Sequence, residues 1–327
     1  MPTWNHYHLA KTIEDAIGAL RSSPGPVRPV AGGTDLLLEI QQGRHTAFDT
    51  LVDVSAIPEL RCLEVRGGEL FIGAGVPVSV ITQSPLVREH ALAVSEACGL
   101  IGGPQVRNTA TLGGNVAHAL PAADGMIGLV AMDAEVEIAS PAGLRRQPIL
   151  SLFAGPGKST LLLDQEILVG FYLPLCAPAA PGCGQGSAFS RVMRPQGVAL
   201  PIINLAVWLE RRAAPQSAGR ADAIANVRIA VGPAGPVPRR AEAVEEILNG
   251  ALLDADTLAK AAQVWRESLR FRTSPRRSTA EYRSHLCTIL FERVILTAWE
   301  RAGARMLPVS NAINGVPAGH ASEEGVV

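Results

Sequence analysis

The chain of 327 residues carries 29 Lys and Arg against 30 Asp and Glu, is 47% hydrophobic and only 18% charged, and has a formal net charge of -1. That length holds two or three domains with real cores, while the balanced charge excludes a nucleic-acid surface built on general electrostatics. No apolar run is long enough to span a bilayer, and Met1-Pro2-Thr3-Trp4-Asn5-His6 lacks the basic start and apolar block of a secretory signal, so a cytoplasmic location is expected.

Thr12 ahead of Glu14 and Asp15 has a capping pattern that opens a short amphipathic helix through 16–20, and Ser22-Ser23-Pro24-Gly25-Pro26 stops it. A strand is expected at 27–30. It runs into the bare stretch Ala31-Gly32-Gly33-Thr34-Asp35-Leu36, where the two glycines permit positive φ or close backbone contact and Thr34 and Asp35 precede a helix that Gly43 ends. A strand, a loop without side chains and a helix start together aim several backbone N–H groups at one point, which suits a phosphate. For one such stretch alone, an ordinary turn is the plainer reading.

A second stretch of the same kind, Thr111-Leu112-Gly113-Gly114-Asn115, lies some eighty residues on and is also expected to follow an extended segment. Between the two, a strand at 50–54, a hairpin through Arg66-Gly67-Gly68-Glu69 and helices at 78–83 and 85–100 are expected. Ile101-Gly102-Gly103-Pro104 keeps the approach to the second stretch poor in bulky side chains. Beyond it, Asp124 either caps a helix at 125–132 or accepts from a ribose or adenine donor, and the cap is the simpler assignment from the residues alone. Strands at 135–139 and 167–173 close this half. Neither glycine stretch is the Gly-x-Gly-x-x-Gly dinucleotide fingerprint. Gly155-Pro156-Gly157-Lys158-Ser159-Thr160 mimics the end of a P-loop, but Leu152 stands where that motif needs glycine, so a loop is expected there.

At 175–186 the composition shifts to Cys, Ala, Pro and Gly, the best linker candidate in the chain. Three strands at 187–192, 202–209 and 226–231, then helices at 239–248, 256–268 and 279–301, form an α+β pattern with its own core. The five cysteines, Cys62, Cys98, Cys176, Cys183 and Cys287, fit no cluster or zinc spacing and read as small apolar side chains. His6 and His8 have no third ligand of matching spacing. From about residue 304 large apolar residues are few, which suggests a mobile tail or a strap on a partner.

The motifs Ala31-Gly32-Gly33-Thr34-Asp35-Leu36, Gly103-Pro104-Gln105-Val106-Arg107 with Thr111-Leu112-Gly113-Gly114-Asn115, Phe153-Ala154-Gly155-Pro156-Gly157 with Glu166-Ile167-Leu168, and Ala280-Glu281-Tyr282-Arg283 resemble, in order and spacing, the medium, flavin-binding subunit of the molybdenum hydroxylases. That group contains carbon monoxide dehydrogenase, bacterial xanthine dehydrogenase and 4-hydroxybenzoyl-CoA reductase. The resemblance implies an α+β chain: a two-lobed FAD-binding domain of the vanillyl-alcohol-oxidase (PCMH) type over 1–177, a linker at 178–186, a smaller α+β domain over 187–302 and a tail at 303–327. It assigns the FAD pyrophosphate to Ala31, Gly32, Gly33, Thr34, Asp35 and Leu36 and to Thr111, Gly113, Gly114 and Asn115. By the same likeness Ile101, Gly102 and Leu168 touch the flavin ring and Asp124 serves the adenosine end. Ala123 replaces a serine that some relatives place before that carboxylate, and Ser190 replaces a lysine, with Arg191 next to it.

What the resemblance implies for function is a relay. FAD is held non-covalently, while molybdopterin and [2Fe-2S] clusters reside in a large and a small partner subunit, and NAD, a quinone or oxygen collects the electrons. The assembly would be a heterotrimer or a dimer of heterotrimers, with no catalytic residue and no metal ligand in this chain. The reductase activity is disfavoured, because the cysteine-bearing insertion of those members is missing here. Two rivals remain: a stand-alone FAD-dependent oxidase of the same fold family, with His118 as the histidine nearest a glycine stretch, and a scaffold with an empty site, against which the intact glycines argue.

Overall fold

The computed structural model describes residues 4–45, 47–178, 180–194, 200–213, 222–274 and 278–305. The first lobe is a parallel sheet of β1 (Trp4–Leu9), β2 (Val27–Val30) and β3 (Phe48–Asp53) in the order β1-β3-β2, with α1 (Ile13–Ser22) and α2 (Leu36–Gln41) as its crossovers. Thr12 caps α1 as expected, its Oγ1 accepting from the Asp15 amide at 3.1 Å. The buried stripe Ala16, Ile17 and Leu20 then seats the helix.

The second lobe carries β4 (Leu63–Arg66), β5 (Glu69–Gly73), β6 (Glu135–Ser140), β7 (Gly143–Pro148) and β10 (Ile167–Pro174) as one antiparallel sheet in the order β4-β5-β10-β6-β7, and a small hairpin of β8 (Phe153–Gly155) and β9 (Lys158–Ser159). Between β5 and β6 run α3 (Val78–Gln83), α4 (Pro85–His90), α5 (Leu92–Gly99), α6 (Pro104–Thr109), α7 (Leu112–Ala117) and α8 (Asp124–Ala131). Side chains alternate across the sheet, and in its central strands β5, β10 and β6 both faces are buried. Leu70, Ile72, Val136, Ile138 and Leu173 join the helices in one core, while Phe71, Val169 and Tyr172 join Ala16, Leu20 and Val52 of the first lobe in another.

The third layer is the sheet β11 (Cys183–Val192), β12 (Ile203–Arg212), β13 (Ala223–Gly232) and β14 (Arg239–Arg240), with α9 (Glu242–Leu248), α10 (Ala255–Ser268) and α11 (Ala280–Ala304) on one face. Its other face is not free. Phe189, Ala206, Trp208 and Ala230 point into the core of the second lobe, against α5 and α8.

Several elements differ from the expectation. The helix expected at 85–100 is two, because Ala91 leaves the helical region at φ -142° and ψ 53° and no glycine or proline marks the break. The second glycine stretch follows a helix, α6, rather than an extended segment. Gly102, with φ +55°, and Pro104 at the first turn of α6 allow that entry. Residues 183–186, expected as linker, are the start of β11: Cys183 pairs with Arg212 and Gly186 with Leu209. A Cβ on Gly186 would lie 2.2 Å from the Ala298 carbonyl oxygen, so this glycine admits α11 rather than loosening the chain. Beyond Arg305, the expected tail lies outside the described residues.

Candidate functional site

The two glycine stretches meet. A Cβ built on Gly32 would fall 2.0 Å from the Thr109 carbonyl oxygen and 3.0 Å from the Ala110 Cα, so only glycine lets the first turn rest on the backbone that leads into the second. Gly33 adopts φ +64°, which turns the chain from β2 into α2. Among the described residues, the amides of Gly32, Gly33, Thr34, Asp35 and Leu36 donate to no protein acceptor. Asp35 occupies the N-cap position but makes no side-chain cap bond. A run of unsatisfied donors at the surface is solvated or holds an anion.

The second turn is built differently. Its amides are used internally: Leu112 donates to Val76 at 3.3 Å, Gly113 to Ala74 at 2.9 Å, Gly114 to the Thr111 hydroxyl at 3.0 Å and Asn115 to the Thr111 carbonyl at 3.0 Å. Gly113 is a packing glycine, since a Cβ there would meet Ala74 at 2.6 Å. Gly114 is exposed, and a Cβ on it would meet only the Thr111 hydroxyl, at 3.2 Å. One turn therefore presents donors and the other a floor without side chains. This departs from the expectation that both aim free amides.

Asn115 turns inward, its Oδ1 accepting from the Met126 amide at 3.3 Å and tying the second turn to α8. At the head of α8, Asp124 is neither a cap nor a free acceptor. It is 4% exposed, and its two oxygens take Asn204 Nδ2 at 2.7 Å and the Arg191 guanidinium. Burial pushes its carboxyl above the ordinary range, against the opposing pull of Arg191 and Asn204. Neither partner was foreseen from the sequence as an Asp124 ligand, because they lie on β11 and β12. Next to Asp124, a Cβ on Gly125 would sit 3.5 Å from Ile101 Cδ1. Gly125 rather than Asp124 thus faces Ile101, while Arg107 donates to the carbonyls of Ile101 and Gly102 at 3.3 and 2.7 Å and fixes that turn. Leu168 is 7% exposed in β10 and belongs to the core shared with Ile101.

Two histidines flank the first turn through one carboxylate. Glu39 of α2 accepts His45 Nε2 at 2.9 Å and faces His118 Nε2 at 3.8 Å. The P-loop look-alike is the tip of the β8–β9 hairpin, where Gly157 has φ +67° and donates to the Ala119 carbonyl at 2.9 Å. Free backbone donors, a bare floor and apolar walls fit the diphosphate and ring system of a flavin dinucleotide without a lysine or arginine in either turn.

The comparisons agree with this geometry. Residues 3–176 match the model described as FAD binding domain in molybdopterin dehydrogenase, and residues 187–298 match CO dehydrogenase flavoprotein C-terminal domain. A putative xanthine dehydrogenase FAD-binding subunit of Escherichia coli is 32% identical over 92% of this chain and 98% of its own length. The carbon monoxide dehydrogenase medium chain of Hydrogenophaga pseudoflava is 27% identical over 92% of this chain and 99% of its own. The solved carbon monoxide dehydrogenase of that organism superposes with a TM-score of 0.82 at 26% identity, covering 92% of this chain and 99% of that one.

Proposed function

The chain belongs to the FAD-binding family of the molybdopterin dehydrogenases, and from that premise we propose that it is the relay subunit of a cytoplasmic heterotrimer, taking electrons from iron–sulfur clusters in a small partner and passing them to NAD, a quinone or oxygen. A large partner would hold the molybdopterin and the oxidised substrate. Bound FAD supplies the redox chemistry. What this chain contributes is position, charge compensation and exclusion of water.

The observation that carries the reading is the row of amides from Gly32 to Leu36 that, among the described residues, have no protein acceptor where Gly32 meets Thr109. They would hold the diphosphate, with exposed Gly114 as the opposing floor. Thr111 and Asn115 would act through the shape of the second turn, which the Thr111 hydroxyl and Asn115 Oδ1 hold by accepting the Gly114 and Met126 amides. Ile101, Gly102 and Leu168 would border the ring system. Asp124 would serve the dinucleotide from the head of α8, where Arg191 and Asn204 hold its carboxylate.

Refolding the full chain with FAD and recording its absorbance tests the reading: a bound-flavin spectrum is expected, with all flavin released by acid or heat. Absence of bound flavin refutes it, and flavin retained on the denatured polypeptide favours the stand-alone oxidase.

A further inference from the structure

Behind the lips of the two glycine turns, an ion pair joins one side of the site to the other. The Glu39 amide donates to the Asp35 carbonyl at 2.9 Å, so Glu39 lies one turn of α2 beyond the end of the first stretch. The His118 amide donates to the Gly114 carbonyl at 3.1 Å, which sets His118 one turn of α7 beyond the bare floor. Across the gap His118 Nε2 faces Glu39 Oε1 at 3.8 Å, while Glu39 Oε2 takes His45 Nε2 at 2.9 Å. The Glu39 and His118 side chains are 21% and 23% exposed, so water screens this pair less than one on the open surface.

The backbone that carries His118 is also constrained. Ala119, next in the chain, is buried and left-handed at φ +54°, a conformation that a residue with a Cβ keeps only where its surroundings hold it. Here the hold is visible: the Ala119 amide donates to the Val116 carbonyl at 2.9 Å, and the Ala119 carbonyl accepts from Gly157 of the β8–β9 hairpin at 2.9 Å. Strain of this kind collects where a neighbouring group must be aimed, and the group so placed is His118.

We propose that Glu39 and His118 are positioning residues of the dinucleotide site: their ion pair sets the separation of the two glycine turns around the diphosphate, and protonation of His118 draws it closed. The inference rests on the FAD reading above. At 3.8 Å the pair stands wider than a hydrogen bond, and charge on the imidazole supplies the attraction that shortens it. FAD should therefore bind more tightly as pH falls through the region of about 6.5, where an ordinary histidine takes up its proton. The other charged groups nearby do not bridge the turns. Arg28 on β2, which feels the Glu39 charge, and Asp35, Arg44 and His45 belong with Glu39 to the first lobe, where His6 and Asp49 face one another. On the far side Lys158 belongs to the β8–β9 hairpin, and Asp124 is taken by Arg191 and Asn204.

The test measures the dissociation constant of FAD on the full chain, by flavin fluorescence, from about pH 5.5 to 8. Wild type is expected to bind about threefold more tightly at the acid end, the scale of a partly exposed ion pair. Glu39→Gln and His118→Gln are each expected to flatten the profile, with the double variant no flatter than either, and His45→Gln to keep the slope. Melting temperatures recorded alongside separate a loss of the bridge from a loss of the fold. A flat wild-type profile overturns the inference and leaves the FAD reading intact, as does a slope that survives His118→Gln. A slope that survives Glu39→Gln overturns it too, by putting His118 on the diphosphate itself. A wild-type chain that binds no FAD at any pH refutes the FAD reading and takes this inference with it.

Discussion

Gly32 and Gly114 carry the same side chain and opposite duties. Gly32→Ala would drive a methyl group into the Thr109 carbonyl, and overpacking of this kind costs roughly 1–3 kcal/mol. It is expected to lower both the melting temperature and the flavin affinity. Gly114→Ala adds a methyl that meets only the Thr111 hydroxyl, so the melting temperature is expected to hold while flavin binding weakens, which thermal denaturation beside a flavin titration would separate. A loss of stability in the second variant equal to the first would show that the floor is structural. The glycine stretches were legible in the sequence as places of close approach, but which atoms approach was not. Ala74, which claims the Gly113 amide, lies in another element. Asp124 shows the same limit, for its partners Arg191 and Asn204 are 67 and 80 residues away, and no local pattern encodes them.

Among the elements, the segment from Leu161 to Glu166, which leads into β10, is held by one carboxylate. Glu166 takes Arg145 at 2.6 and 3.1 Å and the Leu162 amide at 3.0 Å. Burial alone would raise its pKa, yet Arg145 and the amide together bring it below the ordinary 4.5. With the folded value depressed, its stabilisation is present above pH 4.5 and is lost as pH falls through the lower folded value. Glu166→Gln is therefore expected to be less stable at pH 7 by roughly 1–3 kcal/mol and to lose part of the acid slope, read from urea midpoints across pH 2–7. An unchanged slope would assign acid sensitivity to other carboxylates. Strong periodicity and turn chemistry made α1, β5, β6 and α8 readable, whereas β7, β8 and β9 carry too little alternation and the break at Ala91 has no signal residue.

The whole molecule is tied across its two halves by a charged clasp. Arg301 of α11 reaches Glu96 of α5 at 2.6 Å and the Ser187 carbonyl at 2.7 Å, and Glu96 also accepts the Phe189 amide at 2.9 Å. Arg301→Met removes charge-assisted bonds at this joint and is expected to cost roughly 1–3 kcal/mol while keeping one cooperative transition, because Phe189 and Trp208 still fill the joint core. Tryptophan fluorescence and flavin release should move together on heating, and transitions that come apart would show that the clasp alone couples the halves.

Because the sheet of β11 to β13 is wedged between two sets of helices, neither half of this polypeptide has a finished exterior. Severing the chain near residue 180 would strip the lid from α5 and α8 and leave two sticky fragments. Inheritance, expression and turnover of the flavin lobes are thereby bound to a domain that holds neither glycine turn.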